Sequence, residues 1–89
     1  MSKYLEAGEF FRQREQVARR EAKLYQQFHN GDTATKDSIA PALSECGQQS
    51  LTIGRAIHAL GLTVKVESYR GHSTFRLLDG REEISSFEV

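Results

Sequence analysis

The stretch that most constrains this chain is EFFRQREQVARREAKLYQQFH, residues 9–29. It holds no proline or glycine and is built largely from Glu, Gln, Arg, Ala and Leu, all good helix formers. Phe10, Val17 and Leu24 recur every seven residues, as do Phe11, Ala18 and Tyr25, and Phe28 extends the same stripe. Arg14 and Glu21 interrupt it. The spacing predicts one long amphipathic helix over 9–29, closed by a left-handed stop at Asn30-Gly31. Such a helix spans about 30 Å, more than the core of an 89-residue chain can cover. Its amino-terminal half is therefore expected to project or to pack on another chain. Phe10, Phe11, Val17 and Tyr25 supply an apolar surface for a homodimer there.

The segment SIAPALSECGQQSLTIGRAIHALGL, residues 38–62, contains three further signals. Ser38 can cap a helix that keeps Pro41 in its first turn, where the missing N–H matters least. Ile39, Ala42, Leu43 and Cys46 then share a face, which predicts a short helix over 38–46. Gly47 stops it, Ser50 caps the next, and Ile53, Ala56, Ile57 and Leu60 form the buried stripe of a helix over 51–60.

Residues 63–78, TVKVESYRGHSTFRLL, alternate with period two, and Gly71-His72 suits a two-residue turn with glycine first. That register sets Val66 opposite Leu77, and Glu67 opposite Arg76 as an acid–base pair. The last segment, DGREEISSFEV, reads as an acidic tail over 79–89 that tucks Ile84, Phe87 and Val89 onto the body. A third short strand is the alternative there.

Twelve Lys and Arg balance twelve Asp and Glu, so the chain as a whole is no electrostatic nucleic-acid magnet. The charge is uneven: residues 1–31 and 63–78 each carry a net +2, whereas 79–89 carry −3. Cys46 is the single cysteine, so no intrachain disulfide forms and a reducing, cytoplasmic setting is expected. The amino terminus lacks the apolar run of a secretion signal, and no stretch reaches membrane-spanning length. His29, His58 and His72 lack metal-ligand spacing with one another or with Cys46, and GQQSLTIG lacks the lysine of a phosphate-binding loop. Neither catalysis nor a cofactor or metal is expected.

The order helix, helix, turn, helix, hairpin resembles the winged-helix variant of the helix-turn-helix family over about residues 17–78. Ile39, Ala42, Cys46, Gly47, Ile53, Ala56, Ile57 and Leu60 carry the resemblance, with Gly71 at the tip of the wing. TIGRAIHALGLTV is also similar to the DNA-binding lobes of phage and plasmid replication proteins and small phage regulators. The resemblance implies a single mainly α domain of three helices and a two-stranded wing. It implies a transcriptional regulator, or a replication or recombination accessory, from a phage or mobile element. A helix fits the major groove and reads it with its first turns. Gln48, Gln49, Ser50, Thr52, Arg55 and His58 would lie there, with Lys65, Arg70 and His72 of the wing on the backbone. The same residues are also what an ordinary solvated face contains. With so few cations, DNA binding would require a dimer. A second reading is a protein-interaction module of the same fold, such as a phage-encoded inhibitor of a host complex.

Overall fold

A computed structural model describes residues 2–89. Two long helices, α1 (Lys3–Asn30) and α2 (Thr33–Ala59), form an antiparallel hairpin, followed by three strands, β1 (Thr63–Tyr69), β2 (His72–Asp79) and β3 (Glu82–Glu88). The strands form one antiparallel sheet in the order β1-β2-β3. Three helices with a two-stranded wing, the expected architecture, is not what the chain adopts.

The difference lies first at Gly47. Residues 33–59 form one helix that runs through both Pro41 and Gly47. Ile39, Cys46 and Ile53 are seven residues apart and all buried, and Ile57 continues the row. A seven-residue step drifts by only about 20° on a helix, so the apolar face stays in phase across Gly47. Mid-helix glycine costs about 1 kcal/mol relative to alanine, less than one buried isoleucine contributes. Packing along α1 therefore overrides the break. Asp32, not Ser38, is the cap: its carboxylate accepts from the Thr35 N–H at 2.8 Å. That bond holds the Asp32 carboxyl below its ordinary value.

The turn between the helices also differs. Gly31 has φ −93°, an extended rather than left-handed conformation. What it supplies is room, since a Cβ there would lie 2.7 Å from the Thr35 methyl and 2.9 Å from the Gln27 carbonyl oxygen. At its other end α2 closes with paired bonds, Gly61 N–H to the His58 carbonyl at 2.9 Å and Leu62 N–H to that of Ile57 at 3.3 Å. This is the Schellman pattern, and it places the fully buried Leu62 beside Ile57 in the core.

The β1–β2 loop is Arg70-Gly71, one residue earlier than expected. Arg70 has φ 50° and Gly71 φ 81°, the two positive values that a type I′ turn demands. The register moves by two: Val66 lies opposite Phe75 and Lys65 opposite Arg76. A two-residue shift preserves the faces, so the apolar row survives. The expected Glu67–Arg76 pairing does not. Lys65 instead pairs with Glu67 at 3.3 Å, and Arg76 with Glu83 at 3.4 Å.

The last segment is a full strand, the alternative to the expected tail. Its register slips between Leu77 and Leu78, leaving Ile84 as the extra residue. Ile84 and Phe87 are three apart and would face opposite sides of a regular strand. The bulge reconciles them, and both pack on the core. Phe87 stacks on Phe75 at 4.6 Å and meets Phe11 at 5.0 Å between ring centroids.

One core results, from Ala7, Phe11 and Ala18 of α1, Ile53 and Ile57 of α2, Leu62, and Phe75 and Leu77 of β2. The amino-terminal half of α1, the one expected to project, thus lies under the sheet, which covers the helix as far as Ala18. Helices of this length reach about 42 Å and strands about 23 Å. The molecule measures 47 Å along its longest axis, because the loop end of the hairpin runs past the sheet.

Candidate functional site

The nine residues expected to face DNA do not share a surface. Gln48, Gln49 and Thr52 line a shallow groove along the helix seam with Gln13 and Gln16 of α1, and no strand contributes to it. Gln49 donates to Glu45 at 3.4 Å, and the Thr52 hydroxyl donates to the Gln48 carbonyl at 3.0 Å. Ser50 is no cap. It points inward and donates to the Glu21 carboxylate at 3.2 Å. Arg55 and His58 are exposed on α2, and Arg70 and His72 lie at the hairpin tip. Lys65 is on the sheet face turned away from the helices, because it alternates with Val64 and Val66, whose partners Leu77 and Phe75 are core residues.

The helix surface expected to form a homodimer is largely used within the chain. Phe11 is buried, Phe10 and Val17 are packed against the core, and Tyr25 alone of the four is exposed.

Arg14 and Glu21, read as interruptions of the apolar stripe, lie on it. Arg14 stacks over the Phe75 ring at 4.8 Å, and its Nη1 approaches Glu21 Oε1 at 3.5 Å. Burial pulls the Arg14 guanidinium below its ordinary value, and the Glu21 charge opposes that. With Ser50 these residues tie α1, α2 and β2 together. Opposite charges seven residues apart on an otherwise apolar stripe were the sequence signal for that link.

The sheet margins carry the geometry with the clearest chemical use. Ser73 exchanges both backbone hydrogen bonds with Val89, each at 2.9 Å. Residues 73, 75 and 77 of β2 therefore turn their N–H and C=O groups towards β3, and 72, 74, 76 and 78 turn theirs towards β1. The β1 partners of the latter are Tyr69, Glu67, Lys65 and Thr63. Val64, Val66 and Ser68 are left with outward-pointing backbone groups, a free row of donors and acceptors.

The two edges are unlike. On β3 the ladder is broken by the bulge at Ile84, Glu82, Glu83 and Glu88 add charge, and Arg19 of α1 donates to the Glu88 carbonyl at 3.3 Å. These are devices that discourage further pairing. β1 is seven residues long, with continuous register, no proline and no bulge. Its inner face leaves the cover of the helices partway along: Val64 is half-buried, whereas Val66 is 49 % exposed. Leu51 of α2, the helix that contacts β1, is 55 % exposed. Neither exposed Leu51 nor the β1 edge is legible in the sequence. The first is a lone apolar residue off the stripe, and the second depends on which strand ends outermost.

Comparison of the chain with protein-family models, with curated proteins and with solved structures gives no match. No helix among the described residues is long and apolar enough to cross a membrane.

Proposed function

We propose that this chain is a protein-interaction module that binds by strand addition at β1. The observation that carries the reading is the asymmetry of the sheet: β3 is bulged and acidic and gives its Glu88 carbonyl to Arg19, while β1 presents an unbroken row of free backbone groups beside exposed Val66. Backbone bonds along such an edge supply affinity, and alternate side chains supply selectivity. A balanced net charge agrees with a protein partner better than with a phosphate backbone. Continuity of α2 removes the presented recognition helix on which major-groove reading depended.

Val66→Pro tests the reading without disturbing the β1–β2 ladder, because the Val66 N–H points away from β2. A partner bound by the wild type, identified and reconstituted from purified components, is expected to be lost with Val66→Pro. A mixed-sequence duplex is expected to give no mobility shift at moderate salt. Retention on the duplex, weakened by Arg55→Ala and Arg70→Ala with a flatter salt dependence, would replace the module by a DNA binder.

A further inference from the structure

We infer that the strand received by β1 is β1 of a second copy of this chain, antiparallel across a two-fold axis at Val66. This rests on the reading of β1 as a strand-addition site and names its partner. The outward backbone groups belong to Val64, Val66 and Ser68. A two-fold axis perpendicular to the sheet at Val66 sets Val66 against its own copy and Val64 against Ser68 of the other. All of these are hydrogen-bonded pairs that use the groups left free. Lys65 then falls opposite Glu67 of the other copy, twice, on the sheet face away from the helices. Those are non-hydrogen-bonded pairs, in which side chains approach most closely.

Charge selects this register. Sliding by two residues in either direction sets Lys65 against Lys65 or Glu67 against Glu67, and like charges directly opposite are destabilising. On the inner face the same register brings together two Val66 side chains that are half exposed in the single chain. Lys65 also gains the acid it lacks across the strand, since within the chain its cross-strand neighbour is Arg76. Closure follows from the other edge. After pairing, both ends of the joined six-stranded sheet are copies of β3, guarded by bulge, acid and Arg19, so growth stops at two.

Sedimentation of the full chain and four variants tests this. The wild type is expected to be a dimer that dissociates on dilution, and Val66→Pro a monomer. Lys65→Glu and Glu67→Lys each turn two attractive pairs into repulsive ones and should weaken association about tenfold or more. The double variant K65E/E67K restores the pairs and should restore the dimer. Lys65→Glu exchanges an exposed pair with Glu67 for one with Arg76 across the ladder, so it should melt close to the wild type under dilute, monomeric conditions, which keeps loss of the dimer distinct from loss of the fold. A dimer indifferent to these charges, or a wild type monomeric at every concentration reached, overturns the inference. A monomeric wild type that still takes another protein in a Val66→Pro-sensitive way overturns the second copy but leaves strand addition standing. Absence of both overturns both.

Discussion

Ile57→Ala is expected to remove about 3–4 kcal/mol of stability, near the middle of the range for truncating a buried isoleucine. Ile57 is fully buried at the junction of α2 with the sheet, and Leu62 and Leu77 of the same cluster are also fully buried. The helix hairpin brings in one wall of the core and the strands the other, so a cavity there has lining on several sides and little freedom to collapse. In a domain of this size each kcal/mol moves Tm by about 4–8 °C. A fall of roughly 15 °C or more in a thermal melt is the expected result, with Arg55→Ala, exposed on the same helix, changing stability by less than about 0.5 kcal/mol. A loss below about 1 kcal/mol for Ile57→Ala would mean that α2 does not meet the sheet at that point.

Phe87→Ala is expected to cost about 2–3 kcal/mol, somewhat less than a fully buried phenylalanine because Phe87 is only partly covered. Its ring is stacked on Phe75 and tilted against Phe11, so truncation removes aromatic packing as well as apolar area. Were residues 79–89 an accessory tail, the same substitution would pass almost unnoticed in a urea titration. Glu88→Ala, whose side chain is exposed beside Phe87, should stay within about 0.5 kcal/mol of the wild type and serves as the control.

The physical signals in the sequence were of unequal range, and this decides what could be read. Heptad spacing in residues 10–28 is local and repeated, so the first long helix is legible, although Gly8 hides its start. Alternation in Val64, Val66, Phe75 and Leu77 gave the hairpin and the correct faces. Its register was off by two because Arg70 adopts a left-handed conformation that favours glycine and asparagine. Gly47 reads locally as a helix stop, although Ile39, Cys46 and Ile53 keep one phase through it. A true turn between two helices has no reason to preserve that phase. In the last segment the three-residue spacing of Ile84 and Phe87 leaves a strand only as the alternative to a tail, since only a bulge lets both face inwards.

The functional surface was less legible than the fold. Gln48, Ser50, Arg55, Lys65 and Arg70 form one group only through a separate recognition helix and wing; in the structure Ser50 turns towards Glu21 and Lys65 lies on the sheet face away from the helices. Arg14 and Glu21 read in the sequence as interruptions of an apolar stripe, yet they form a partly buried link with Ser50. An open sheet edge has no residue-type signature. It is defined by which strand lies outermost and by what guards the other side, both of which are tertiary facts.

The claim beneath all of this is that residues 33–59 are one unbroken helix, and Gly47→Ala in a thermal melt tests it most directly. Gly47 is exposed, is not among the residues with positive φ, and has open space where a Cβ would go. Alanine should therefore stabilise the chain by about 0.5–1 kcal/mol and raise Tm by roughly 3–8 °C. A fall in Tm would mean that Gly47 occupies a left-handed turn between two helices, and the continuous α2 would be wrong.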